Sequence, residues 1–242
     1  MRLCSICLNM PQVAPVDSVE PPRPPVICTV DVVLLTLDTG SLHVALLPRE
    51  RAPFAGALSL PGGFIHPQED HDTQASAGRV LKDKAGLVSP YLEQLATFSG
   101  PVRDPRGWSL AVVYCALVPL QVLASAKDGL QLFPVHALPP LPFDHRSMVD
   151  AAVARVRSKS QYSSLPVHLC QQPFTLPQLQ AVYEAVLGEP INKVSFRRKM
   201  DELGLLEPVH GAMQTGAAHR PAQLYRVHPQ FAHGLAMSTR GL

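Results

Sequence analysis

Two long apolar runs, Val26–Leu37 and Leu42–Leu47, stand on either side of Asp38-Thr-Gly40. Their β-branched content and the turn residues between them predict a hairpin. Because neither run alternates with polar residues, the sheet they enter is expected to be covered on both faces. Tyr91–Ser99 and Ser109–Val118 predict two more strands, and the Pro-rich stretch Leu130–Leu141 predicts a short strand with loops. A Pro61-Gly62-Gly63 turn leads towards a helix over 72–85. Apolar residues at helical spacing predict another helix over Phe143–Arg157, with Asp144 as its N-cap.

Periodicity weakens over 159–173, which reads as a linker, and the pattern then changes. Thr175 as N-cap, Pro177 in the first turn and Gly188 as C-cap bound one helix. Asn192–Leu203 is a second, ended by Gly204. Short strands Leu205–Val209 and Gln223–Val227 flank a loop from His210 to Pro221. Helix, turn, basic helix and two-stranded ribbon is the layout of a winged helix-turn-helix. The expected organisation is a disordered Pro-rich segment, 1–25; an α/β domain over 26–158, a mixed sheet with flanking helices; the linker; an α+β winged helix over 174–230; and a flexible tail, 231–242.

At 242 residues the chain has room for these two domains. A net charge of +2 supplies no bulk field for a polyanion. Its distribution is more telling, because from Asn192 onward seven basic residues face only three acidic ones. The five cysteines form no regular framework, and Cys4-Ser-Ile-Cys7 lacks a second Cys or His pair at zinc-site distance. The N-terminal apolar run is too brief for a signal peptide or a membrane span, so a cytoplasmic protein is expected.

The candidate chemistry sits between Leu60 and Leu87. Gly63, Arg79, Leu81, Gly86 and Leu87 fit the frame of a Nudix box, G-x5-E-x7-R-E-U-x-E-E-x-G-U, where U is a bulky aliphatic. That motif uses clustered carboxylates to hold divalent cations on a diphosphate. Here Val80 and Lys84 replace two of the acids, Asp83 is a shortened third, and two extra residues separate Glu69 from Arg79. Glu69, Asp70 and Asp72 are therefore only approximate stand-ins for the first acid. The frame points to a diphosphate-binding shell without an intact catalytic set: no catalytic residue, no metal ligand and no required cofactor are assigned. Mg²⁺ enters only if the alternative, an active hydrolase of ADP-ribose or a related nucleoside diphosphate, holds.

In the second C-terminal helix Phe196, Met200 and Leu203 form an apolar stripe, while Lys193, Arg197, Arg198 and Lys199 fall largely off it. Basic groups at the start and middle of such a helix suit a major groove, and Arg220 and Arg226 of the ribbon would add phosphate or minor-groove contacts.

Arg103-Asp-Pro-Arg-Gly-Trp108, Phe143-Asp-His145, Phe174-Thr-Leu-Pro-Gln-Leu179, Ser195-Phe-Arg-Arg-Lys199 and Arg220-Pro-Ala-Gln-Leu-Tyr-Arg226 extend the likeness beyond the Nudix frame. Together, from about Val26 to His228, they resemble the Nudix-related transcriptional regulators of NAD metabolism. The resemblance implies a repressor of NAD or pentose genes that binds a double-stranded operator as a homodimer. It implies an ADP-ribose-like effector beside Gly62, Gly63, Phe64, Arg79, Arg103 and Arg106, and Arg51, after a strand, is a further candidate for reaching a phosphate. It also implies DNA contacts from Arg197, Arg198 and Lys199, and Lys193 and Ser195 at the start of the same helix are further candidates. Val194-Ser195 departs from the Arg-Asn found in many members, which bears on operator sequence.

Overall fold

A computed structural model describes residues 25–89, 91–216, 219–231 and 234–237. The expected disorder of 1–24 and the Cys4–Cys7 pair lie outside the described residues. The first domain is built on β1 (Ile27–Asp38) and β2 (Ser41–Pro48), which pair antiparallel across the expected turn. Short β3 (Leu58–Ser59) and β4 (Gly62–Phe64) follow, then α1 (Thr73–Val80), β5 (Tyr91–Gly100), β6 (Ser109–Leu117), β7 (Gln131–Pro134) and α2 (His145–Ser160). The strand order β3-β2-β1-β6-β5 is mixed, with β1 and β6 parallel, β4 added to β1 and β7 to β2.

Strand geometry explains the double covering. Successive side chains of β1 point to opposite faces. Val33 and Leu35 enter a core closed by Met148, Val149, Ala152 and Val156 of α2. Val30, Val32 and Leu34 enter a second core closed by Ala77 and Val80 of α1. Asp31 keeps the α2-side parity, which places a carboxyl group in a largely apolar strand.

Three expectations change. Gly62 and Gly63 are not a turn: they belong to β4, where Gly62 pairs with Asp31. Asp144 stands at the N-cap position of α2 but makes no capping bond, because Arg103 takes its carboxylate at 2.8 and 2.9 Å. The helix over 72–85 is α1 with Asp72 as N-cap, continued by a wider π-type turn over Leu81–Ala85 that ends at Gly86 in the left-handed region.

The winged helix comprises β8 (Phe174–Thr175), α3 (Leu176–Leu187), α4 (Lys193–Leu203), β9 (Leu206–Gly216) and β10 (His219–Val227), with sheet order β8-β10-β9. Thr175 and Gln178 form a reciprocal capping box at the start of α3, and Asn192 caps α4. The ribbon is longer than the sequence suggests, taking in most of the expected loop. Residues 159–173 are not a slack connection. Leu165–Leu169 is a buried 3₁₀ helix, whose tighter period hides it from a search at 3.6 residues. Its Leu165 and Leu169 enter the α2-side core, while Val167 enters the winged-helix core with Phe174, Tyr183, Phe196 and Met200. Part of the expected tail is also engaged: Ala236 exchanges hydrogen bonds with Ser164, and Met237 bridges to Ser163. Among the described residues no helix is long and apolar enough to cross a membrane.

Met148 is fully buried in the α2-side core. Met148→Ala is expected to cost about 2–5 kcal/mol, read as a lower chemical-denaturation midpoint. A cost under about 1 kcal/mol would mean that the layer closes over the void.

Candidate functional site

A cavity of about 640 Å³ opens where β1, β4, α1 and the loop before β6 converge. The structure brings Arg51, Gly62, Gly63, Phe64, Arg79, Arg103 and Arg106 together around it, with Val80, Asp83 and Lys84 on the α1 side. Arg49, Lys127, Asp31, Phe143 and His145 also line it and were not singled out as ligand residues from sequence. Arg49 follows a strand beside Arg51 and was within reach of the same reasoning. Lys127 is separated from the motif by two strands and carries no local signal.

Gly62 is required by its neighbour. A Cβ there would stand 2.0 Å from Asp31 Oδ1, so only glycine lets β4 lie against a strand with an inward carboxyl. His145, in the first turn of α2, accepts the Leu60 N–H at Nδ1 (3.3 Å), and its Nε2 stands 3.8 Å from Asp31 Oδ1. Burial pushes the Asp31 carboxyl up to about 6, partly countered by Arg103. Burial pulls the His145 imidazole down to about 4, so the ring is neutral at physiological pH. The floor of the cavity is thus a carboxyl group that takes up a proton as pH falls to about 6, beside a neutral histidine.

Most of the arginines are already held. Arg79 grips Asp70 through Nε and Nη2 at 2.8 and 2.7 Å, and also donates to the Phe64 carbonyl at 3.0 Å. This fork clamps the 64–70 loop onto α1, and its hydrogen bonds hold the Asp70 carboxyl well below the usual range. Arg103 joins Asp144 and Ser109; Arg106 joins Asp104 at 2.7 Å and lies over the Phe64 ring, 5.3 Å from its centroid. Arg49 sits 4.8 Å from the centroid of Phe143, and its guanidinium pKa is lowered by burial and by the charge of Arg106. Seven basic side chains line the cavity against five acidic ones. Such a lining attracts an anion with several charges, and Phe64 and Phe143 offer flat apolar faces beside it.

The donor set does not fit a divalent cation. Val80 is buried in the α1-side core, Lys84 puts an ammonium where a carboxylate would stand, and Asp70 is committed to Arg79. Among the described residues no group of three His, Cys, Asp or Glu is placed to hold a metal.

On the winged helix, Lys193, Val194, Ser195, Arg197 and Arg198 are exposed along α4, whereas Phe196, Lys199 and Met200 are buried. Lys199 does not join the exposed cations. Its ammonium donates to the Gln161 carbonyl at 2.7 Å, just past the end of α2, and burial lowers its pKa. It lies three residues after Phe196, close enough to the apolar stripe to be drawn into the domain seam. Arg226 sits at the base of the ribbon, ion-paired with Glu207, and the side chain of Arg220 lies outside the described residues. Trp108 is about half exposed and does not line the cavity.

The NrtR DNA-binding winged helix domain matches residues 166–227. An ADPR responsive transcriptional repressor, NtrR, of Acinetobacter baylyi is 38% identical over 208 residues, 84% of this chain and 82% of that protein. The chain belongs to the NrtR family of transcriptional regulators. Two solved structures of Shewanella oneidensis NrtR extend the match. The protein complexed with a 27mer DNA is 38% identical and covers 89% of this chain and 99% of its own, with a TM-score of 0.81. Its Nudix domain complexed with ADP ribose is 37% identical and covers 55% and 90%, with a TM-score of 0.50. The architecture is thus a Nudix domain followed by a winged helix, and the match to residues 166–227 takes in most of the buried 3₁₀ helix at the seam.

The Asp31–His145 floor has a measurable signature. The folded protein holds the Asp31 proton more tightly than an unfolded chain, so ionising this group opposes folding. The cost is absent below about pH 4 and complete above about pH 6, where the shift from 3.8 amounts to about 3 kcal/mol. His145 has the opposite sign: its stabilisation is present above pH 6.5 and lost as pH falls towards about 4. Their slopes offset one another in the native protein. Asp31→Asn is therefore expected to raise the melting temperature at about pH 8 and to leave a stability that falls steeply on acidification through His145's window. A melting temperature that shifts equally at every pH would refute a buried ionisation at this position.

Proposed function

We propose that this NrtR-family protein is a dimeric repressor whose Nudix domain senses an ADP-ribose-like nucleotide and whose winged helix binds a double-stranded operator. The observation that carries the reading is the union in one chain of an open basic cavity and a winged helix presenting Lys193, Arg197 and Arg198 on the exposed side of α4. A volume of about 640 Å³ falls within the usual range of ligand sites, and its excess of cations suits a diphosphate. The solved complexes of the Shewanella protein with ADP ribose and with DNA support the same pair of ligands. A homodimer follows from recognition physics, since a single winged helix reads few base pairs and two half-sites multiply specificity. The protein would act in the cytoplasm, on genes of NAD or pentose metabolism. With Val80 and Lys84 in the Nudix frame we read the domain as a sensor and not as a hydrolase.

Helix α2 offers the connection between the two sites. Its N-terminal end meets the cavity through Asp144 and His145, and the residue following it accepts the Lys199 bond from α4. Its 16 residues span about 24 Å. A ligand that competes for Arg103 would loosen the hold on one end of this rod. Ligand can alter DNA affinity only through unequal affinity for two arrangements, and DNA must then alter ligand affinity by the same factor.

Arg197→Ala or Arg198→Ala is expected to weaken operator binding by about 1–3 kcal/mol if the side chain reads a base, measured by fluorescence anisotropy against operator and scrambled duplexes. Equal loss on both duplexes would identify a phosphate contact instead. ADP-ribose is expected to raise the operator dissociation constant by roughly 5–150-fold. An operator affinity indifferent to the nucleotide would separate the cavity from gene control.

A further inference from the structure

We propose that Lys84 and Lys127 supply the charge that a divalent cation supplies in a Nudix box with intact acids, so that this cavity takes a diphosphate without metal. The inference rests on the nucleotide-sensor reading for the identity of the whole ligand, and on the structure for the two ammonium groups.

Both lysines line the cavity beside the helical turn at Asp83 and Lys84, the stretch of the Nudix frame that otherwise carries paired acids. Lys84 rises from this turn and its Nζ lies 3.2 Å from Glu50 Oε2, on the loop after β2. Lys127 reaches the same turn from the other side. Its Nζ donates to the Asp83 carbonyl at 2.6 Å, and its backbone N–H donates to the Ala85 carbonyl at 2.9 Å. The approach is built into the backbone. A Cβ at Gly86 would come within 2.9 Å of Lys127 Cγ, and Gly86 itself is in the left-handed region. Val80, the other altered position, lies against Gly63, whose added Cβ would be 3.3 Å from Val80 Cγ2. The space beside Gly63 is filled with hydrocarbon, and the charge next to it is positive.

Two ammonium groups carry the same charge as one divalent ion, and each has three donors, of which Lys127 gives one to the Asp83 carbonyl and keeps two for phosphate oxygens. Among the described residues Lys127 has no carboxylate partner, and the partner of Lys84 is an exposed glutamate. Exchanging that solvent-screened pair for a phosphate costs little. The substitution also separates binding from hydrolysis. An ammonium neutralises phosphate charge, but it does not lower the pKa of a bound water as a metal ion does.

The test is calorimetric titration of the full-length protein with ADP-ribose and, separately, with inorganic pyrophosphate, in EDTA and in excess Mg²⁺. The expected result is binding of both in EDTA, with an ADP-ribose dissociation constant that Mg²⁺ changes by less than about threefold and a pyrophosphate affinity that Mg²⁺ does not increase. Lys84→Gln and Lys127→Gln are each expected to weaken both ligands by about tenfold, the scale of a charge-assisted hydrogen bond. Lys82→Gln removes an equal charge from an exposed residue outside the cavity lining and is expected to change neither. Melting temperatures of the three variants establish that they are folded. Binding that disappears in EDTA overturns the proposal, as does full affinity in folded Lys84→Gln and Lys127→Gln. If pyrophosphate binds in EDTA through these lysines while ADP-ribose does not, the nucleotide-sensor reading fails and the metal-free site stands. If neither binds, both fail.

Discussion

Burial of β1 on both faces is the constraint from which the rest of the first domain follows. A strand with Val33 and Leu35 on one side and Val32 and Leu34 on the other must be roofed twice, by α2 and by α1. Strand parity then turns Asp31 to the α2 side, nearly buried at the cavity floor, and α2 brings His145 over it. Gly62 is the only residue type that permits the next strand to close against that carboxyl. The cavity floor is thus a by-product of sheet closure, and its charge state is set by the core.

The same logic governs the cations. Arg79, Arg103 and Arg106 would be costly to hold side by side without partners, and each is matched to a carboxylate at or beyond the cavity wall. What remains for a ligand is the less firmly held part of the field: Arg49 and Arg51, Lys127, and Lys84 with its exposed partner Glu50. A cavity arranged in this way holds its shape when empty and keeps its charge for an incoming anion.

Much of this was legible in the chain itself. Unbroken apolar runs announced a sheet covered on both sides, and caps at Thr175, Gly188 and Gly204 marked helix ends that the structure reproduces closely. The cavity arginines were legible as types and positions, but not the fork from Arg79 to Asp70, because a nine-residue separation across a loop has no periodicity to read. Lys199 looked like its exposed neighbours. Only the docking of α4 against the end of α2 distinguishes it, and that is a tertiary fact. The segment 159–173 looked slack because its helix is too tight for the usual pattern and shares its side chains between two cores.

That shared segment also determines what kind of object the winged helix is. A reading head on a flexible tether would explore many orientations and surrender that freedom on meeting DNA, at a cost set by how far it could roam. Here Leu165, Val167 and Leu169 interleave the two cores, Tyr183 donates to the Ser163 carbonyl, and Lys199 ties α4 to the far end of α2. The orientational entropy is surrendered once, during folding, and the head arrives already aimed. In the dimer proposed above, a rigidly aimed pair of heads would have one preferred spacing along a duplex, so the phase between half-sites would be set by the protein core and not by a linker's length.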